Sequence, residues 1–471
     1  MKNILIAIRS IFKKGRHNVM KIVSLGIGLA VGLVLIAKVY FEQSYDDFYP
    51  DRDRVYQVWA KYQQNGGELK DYPQTSGGIA PTMQQQIPEI ETVTRYTSFG
   101  DWTFTMTDTK MKYSGRCIIA DSCFFDILPR PMLIGNAKEV LSTPMYVLIS
   151  SRIAKNIGGD VIGKNFTVDN SPGRTMTIGG VFEEVPENSH SRYDVIVSMA
   201  SAGRFMWEGS PTNMLGNDRY ISYVKLHKGV NPLALEEQVR TFVNSYFPPE
   251  EQQKVGLSID FSFHKLDNLH KELPQVKRMT WILSLLAFAL IFTAVMNYIL
   301  IVISSIVNRS KEVAVHKCYG ASENNIHGMM FGEALVHIVL SLILALLLIL
   351  AFRGTVEELL ATSLDSLLLS NGSLVLLGIC ILVFFVSGFM PGSLYARIPV
   401  ASAFRNYREN KRIWKKALLL VQFVATGFLV TMLVFVARQY TFMVNDRPGY
   451  AYENLAYCGL AGVDSTSRAK I

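Results

Sequence analysis

Apolar residues along this chain gather in five long runs, and a stretch with a quite different rhythm lies between the first and the second. The runs cover 22–41, 280–307, 329–352, 374–389 and 417–437. A helix of about 20 residues rises roughly 30 Å, the thickness of a bilayer's hydrocarbon core. Each run therefore predicts a spanning helix. The fourth reaches full length when taken as 373–395, with Pro391 tolerated near its end. Lys38 is the single charge in the first run, close enough to the end to snorkel to the interface. The stretch 42–279 mixes two periods. Arg54 to Ala60 and Thr175 to Phe182 alternate as strands do, the second with a Gly179–Gly180 pair that marks a bulge. Residues 79–86 have helical spacing and are stopped by Pro88. Gly77–Gly78, Pro172–Gly173 and Pro186 punctuate many short elements. The pattern predicts an α-helical membrane protein of about five transmembrane helices, with a large two-lobed α+β domain between helices one and two. Before the first run, Ile4, Leu5, Ile8, Ile11 and Phe12 share a helical face, which predicts a short amphipathic helix on the membrane surface.

Charge orients these spans. The net charge is +8 and the mean hydropathy +0.20. Residues 1–21 hold six Lys/Arg and no acid, and residues 397–416 hold seven against Glu409. Both stretches abut an apolar run. That is the positive-inside pattern, not a nucleic-acid patch, and it makes 1–21, the 308–328 link and the 396–416 loop cytoplasmic. The 353–372 loop, with Arg353 against Glu357, Glu358 and Asp365, is then external, as are 42–279 and 438–471. The long basic region before the first run, with no A-x-A site after it, predicts a retained anchor.

Little in the chain suggests catalysis. Gly158 to Lys164 spells G-x-x-x-x-G-K, but Asn165 stands where a magnesium-binding Ser or Thr belongs. A helix-like segment precedes it and a strand-like one follows, the reverse of a P-loop. No metal motif or nucleophile constellation is present, so no catalytic, cofactor or metal residue is assigned. His190 and Asp194, four apart, read as loop structure. Cys117 and Cys123 lie in the external domain, where spacing alone leaves a bridge between them open. The polar residues inside spans are Asn297, Glu333, His337 and Gln422. Ionisable residues at membrane depth are functional candidates, although Glu333 lies near the inner end, where a packing or interfacial role is the plainer reading.

The link between the second and third runs is the most informative segment. Lys311 to Tyr319 can form two helical turns, Gly320 suits a left-handed helix stop, and Ser322 can cap the next helix with Glu323 near its positive end. Arg309, Lys311, Glu312, Val313, Val315, Lys317, Gly320, Ala321 and Ser322 make up the candidate coupling segment. It resembles the signature R-x-x-E-[IV]-x-[VL]-x-[KR]-x-x-G-A-[ST] of FtsX-like permeases, departing from it at His316 and Cys318, where that family has apolar residues. Glu333 falls where the family has a Glu early in the following span, and Pro399 to Arg405 resembles the family's exit from the next one. Tyr45-Asp-Asp-Phe48, Asp53 to Gln57, Ile162-Gly-Lys164 and Gly179 to His190 resemble the external part of MacB-like permeases of the eight-span type found in Bacteroidetes. Lys415 to Phe423 and 439–455 resemble the start of a second half.

The resemblance implies the permease subunit of a MacB-like ABC transporter in a bacterial inner membrane, its large domain periplasmic. ATP and magnesium would be held by a separate cytoplasmic ATPase docked on the 309–326 link. Its closure would reshape the external domain for export or envelope transport, with a periplasmic adaptor or envelope protein as partner. An FtsX-like regulator that exports nothing and switches envelope enzymes is the alternative. Relatives of this type continue into a second external domain and three more spans. Residues 438–471 are therefore expected to begin a truncated second external region, with a homodimer partner or a second permease half completing the assembly.

Overall fold

The computed structural model describes residues 17–168, 171–216, 218–368, 372–396 and 413–445. The amphipathic segment expected at 3–12, the basic loop 397–412 and the stretch from 446 onward lie outside the described residues. The chain divides into two compact units, one holding the residues up to Gln43 and from Pro274, the other holding Ser44–Leu273.

The first unit contains five helices long and apolar enough to cross a membrane, and these carry the five runs. They are Asn18–Gln43, Pro274–Ser304, Glu323–Ala351, Ser373–Ala396 and Ile413–Asn445, the first to fifth long helices below. Their packing fixes their relative directions. The first and second run antiparallel: a Cβ on Gly28 would meet Ala294, and one on Gly32 would meet Ile291, so only glycine permits this approach. The first and third run parallel, since Ile22 meets Ser341 and Gly26 meets Leu344. The third and fourth run antiparallel, with Phe331 against Phe384 and Phe385, and His327 against Phe389. Directions thus alternate through four helices, as successive crossings require. One core binds them, built on Leu25, Leu29 and Leu33 of the first helix, Ala294, Ile299 and Ile303 of the second, and Met330, Ile338 and Ala345 of the third.

The expected 353–372 loop is helical for much of its length, as Arg353–Leu360 and Leu364–Leu368. Arg353 holds it together, binding Glu357 one turn on at 2.9 Å and Asp365 at 3.2 Å. Lys38 is buried, with Nζ 2.6 Å from Glu42 Oε1 and donating to Thr362 Oγ1 at 2.7 Å. Both partners lie beyond the apolar runs, so the ammonium extends toward the end of the span, where a carboxylate and a hydroxyl meet it.

The second unit is α+β, built on eleven strands: β1 Val55–Gln64, β2 Lys70–Tyr72, β3 Ile90–Met106, β4 Lys112–Ala120, β5 Met132–Ile134, β6 Tyr146–Ser150, β7 Asn165–Val168, β8 Ser171–Phe182, β9 Val195–Ser198, β10 Ile221–Leu226 and β11 Leu257–Lys265. They form one continuous sheet in the order β11-β1-β10-β3-β4-β9-β6-β8-β5, with β2 beside β1 and β7 between β3 and β8. β3 is long enough, at seventeen residues, to serve both ends. At its far end the pairings β3–β4–β9–β6–β8–β7 return to β3 and close a six-stranded ring. Alternate residues of every strand fill that ring: Phe104 and Met106, Cys117 and Ile119, Val147 and Ile149, Phe166 and Val168, Met176 and Ile178, Val195 and Val197. The intervening residues Ile118, Ala120, Leu148 and Ile196 face outward to a second core with Tyr49, Phe124 and Leu141. At the other end, helices Ile79–Gln86 and Glu236–Tyr246 cover β1, β10 and β11 over a third core. The β6–β8 register shifts at Gly179–Gly180, the bulge that the glycine pair announced. Cys117 points into the ring and Cys123 donates to the Val93 carbonyl, so both are free thiols.

Candidate coupling site

The second long helix ends where Ser304 and Ser305 turn their hydroxyls back onto the carbonyls of Ile301 and Val302, at 2.8 and 2.6 Å. Such back-bonding competes with the helix ladder and bends it. A second helix, Ile306–Cys318, follows directly. It is longer than the two turns read from Lys311 to Tyr319, because Ile306 to Asn308 continue the helical path beyond the bend.

Its end is sharply defined. Gly320 has φ +85°, its N–H donates to Lys317 O at 3.0 Å, and the Ala321 N–H donates to His316 O at 3.0 Å. Those two bonds form a complete Schellman motif, which consumes carbonyls a helix end would leave open. Ser322 then caps the third long helix, its Oγ accepting from Asn325 N at 3.4 Å. A left-handed glycine stop and a serine cap two residues apart make a stiff elbow. Val313 and Ala314 anchor the short helix by packing into the helix-bundle core. Val315, His316, Cys318 and Tyr319 are exposed, so the departures at His316 and Cys318 fall on the face turned away from the helix-bundle core. Glu312 and Lys317 are half-buried. The side chains of Arg309 and Lys311 lie outside the described residues.

Glu333 and His337 come together with residues that sequence reading had not singled out. Lys21 Nζ lies 3.6 Å from Glu333 Oε1, the side chains 1% and 8% exposed, and Lys21 also donates to Asn18 Oδ1 at 3.2 Å. His337 Nδ1 is 3.1 Å from the Tyr298 hydroxyl, and Ser341 donates to the Ile22 carbonyl at 3.1 Å. Glu333 is buried inside the bundle, where the cation of Lys21 meets it. Lys21 counted in the sequence as one more basic residue before the first run. Its place on the inner face of the helix, one turn ahead of Leu25, was the available signal. Among the described residues no hydrogen bond joins Asn297 or Gln422 to this cluster. Asn297 is half-buried, and Gln422 is buried on the fifth long helix.

The external unit has its own tied node, where the chain enters and leaves it. Asp46, fully buried at φ +60°, accepts from Ser189 Oγ at 2.9 Å and lies 2.7 Å from His190 Nδ1. A carboxylate only accepts, so Nδ1 donates to Asp46, and Nε2 lies against the hydroxyl of Tyr223, its close partner. Tyr96 completes the chain through Ser191 Oγ at 2.6 Å, its phenol pushed up to about 12 by burial. Alongside, Asp47 binds Arg52 at 2.9 Å and Lys271 at 3.2 Å, Lys271 binds Asp267 at 2.8 Å, and the Tyr45 and His270 rings stack 3.4 Å apart. The entry segment 44–54 and the exit segment 265–272 are thereby cross-linked. Asp194 is engaged elsewhere, with Arg152 at 2.7 Å, so it forms no pair with His190. The near-P-loop is a turn from helix Ser151–Ile157 into β7, with Gly158, Gly159 and Gly163 at positive φ.

Long apolar helices, a capped elbow between two of them and an inserted mixed sheet define a multi-span membrane protein with a periplasmic-type domain. Two family models match in succession: the MacB-like periplasmic core domain over residues 20–242, and the FtsX-like permease C-terminal domain over residues 284–400. The chain belongs to the MacB/FtsX-like ABC transporter permeases. That membership puts it in an ABC-transporter context with an ATPase partner. A domain of a protein described as a permease from Porphyromonas gingivalis is 33% identical, with 46% of this chain and 91% of that one covered and a TM-score of 0.43. The periplasmic region of MacB from Actinobacillus actinomycetemcomitans is 15% identical, covering 46% and 92% at a TM-score of 0.31. The extracellular domain of the noncanonic ABC-type transporter YknZ from Gram-positive bacteria is 11% identical, covering 44% and 98% at 0.31. No curated protein matches the chain.

Proposed function

We propose that the chain is the transmembrane subunit through which a separate cytoplasmic ATPase, holding its own ATP and magnesium, moves the external domain for export or envelope transport. The observation that carries this reading is the elbow. A force transmitter must be stiff where it is pushed, and helix Ile306–Cys318 is locked at its far end by the Gly320 motif and the Ser322 cap. Its exposed face, with Val315 and Tyr319 prominent, offers apolar contact to a docking protein. Opposite the elbow in sequence, the cross-linked root formed by Asp46, Asp47, His190 and Lys271 gives the external domain a single handle.

The test is ATPase stimulation by the full chain with its partner ATPase in lipid. Replacing Glu312 and Lys317 by alanine should abolish stimulation while the thermal transition stays in place. Stimulation at the wild-type level would remove the coupling role. The same elbow would serve a regulator that activates envelope enzymes. Capture by the external domain separates the two: recovery of an exit duct or its adaptor fits export, and recovery of an envelope hydrolase fits regulation.

A further inference from the structure

The first long helix carries two lysines seventeen residues apart, roughly 25 Å along its axis. Both are buried in pairs, Lys21 against Glu333 and Lys38 against Glu42 and Thr362. Two of their partners stand on one continuous stretch: Glu333 is on the third long helix, and Thr362 lies between the two short helices that follow it. Between the two lysines the contact with the third helix is close. Ser341 donates to the Ile22 carbonyl, and a Cβ on Gly26 would lie 2.9 Å from Leu344.

We propose that Lys21 and Glu333 are positioning residues that fix the axial register of the first long helix against the third. A displacement delivered at the Ser322 elbow would then be carried by both helices as one body. The inference deepens the coupling reading above and rests on it.

The argument turns on what each kind of contact resists. In a bilayer, lipid tails replace apolar side chains at little cost, so apolar packing alone resists sliding of parallel helices weakly. A charge pair in low dielectric has its energy set by separation and tolerates no slide without leaving an ion unpaired. A buried ion pair is a poor source of net stability compared with apolar residues of similar size, and its best-attested use is to specify register. Placed eleven residues beyond Ser322, Glu333 lies on the helix that the elbow would push. Lys21 stands in the first turn of the helix that runs covalently into Ser44 and the entry segment. The Lys38 group pins the outer end of that helix to the same body, so the inner pair has a fixed lever to act on.

The test uses the full chain in lipid nanodiscs with spin labels at Val23 and Val339, exposed positions on the two helices. The wild type should give one narrow distance. The apolar pair Lys21→Met with Glu333→Leu should melt at the wild-type temperature yet give a broadened or split distance distribution. The swapped pair Lys21→Glu with Glu333→Lys should restore the single distance. A narrow, unchanged distance in the apolar pair overturns the proposal, as does a folded swap that stays broad. Should the apolar pair fail to fold, Glu333→Gln alone supplies the comparison. With the partner ATPase added, stimulation should fall at least tenfold in the apolar pair and return in the swap. If the wild type itself gives no stimulation, the coupling reading falls, while the distance measurement still decides the register.

Discussion

Asp46 and His190 lie 144 residues apart in sequence and 2.7 Å apart in space, and their pairing closes the root of the external domain. Asp46 adopts φ +60° there, a conformation that asparagine also tolerates and alanine does not favour. Asp46→Ala leaves the Ser189 hydroxyl and the His190 ring N–H without their acceptor and adds backbone strain, so it should cost about 2–4 kcal/mol. Asp46→Asn keeps the turn and the hydrogen bond from Ser189, and should cost clearly less. Urea unfolding of the two variants checks the ordering; equal losses would mean that charge alone, and not the turn, governs the site.

Gly320 isolates backbone from packing. A Cβ there would meet no atom within 4 Å, so Gly320→Ala tests only the left-handed conformation. The cost should be about 1–2 kcal/mol, confined to the elbow. Amide exchange should accelerate at Gly320 and Ala321, whose N–H groups close the motif, while the helix-bundle core stays protected. ATPase stimulation should weaken in step. Unchanged exchange at those two amides would show that the motif survives without its glycine.

The elbow and the spans were legible because their signals are local. Twenty apolar residues, a Gly-Ala-Ser run and a helical segment stopped before Pro88 each act within one or two turns. The six-stranded ring was not legible, because it depends on β7 joining β3 to β8, a pairing that four-residue strands do not advertise. The partners of Lys21 and Lys38 were not legible for a related reason. Charge in sequence does not say which distant group a lysine will meet, so neither the Lys21–Glu333 pair nor the bond from Lys38 to Thr362 could be read from it. Asp46, Asp47 and His190 lay in segments quoted for family resemblance, but nothing in the sequence joined them.

Acid should act on the entry segment. Hydrogen bonds from Arg54 and Lys225 hold the Asp51 carboxyl at about 2, below its ordinary 3.8. A depressed carboxyl contributes stability above its unfolded value and loses it as pH falls through the folded one. The contribution is therefore intact at neutral pH and is lost between about pH 4 and 2. Because the Asp51 side chain is 35% exposed, solvent screening keeps the effect small. Asp51→Asn should flatten that part of the stability profile and lower the neutral-pH plateau slightly. An unaltered acid limb in the variant would assign acid sensitivity to other carboxylates.

The basic flanks predict the side of the membrane on which each segment lies, and cysteine labelling decides it. Cys318 is exposed at the elbow, whereas Cys117 is buried in the ring and its thiol is pushed well above the ordinary value by burial. In a background that retains Cys318 alone, an impermeant maleimide should leave intact cells unlabelled and label them after permeabilisation. Val255→Cys, at a position 72% exposed in the external unit, should label in intact cells. The physical reason is the cost of translocation: thirteen Lys/Arg lie in residues 1–21 and 397–416, and carrying them across the bilayer opposes any inverted arrangement. Cysteine at Ser402 should behave as Cys318 does. Labelling of Cys318 from outside, with Val255→Cys protected, would invert the topology and put the elbow beyond the reach of a cytoplasmic ATPase.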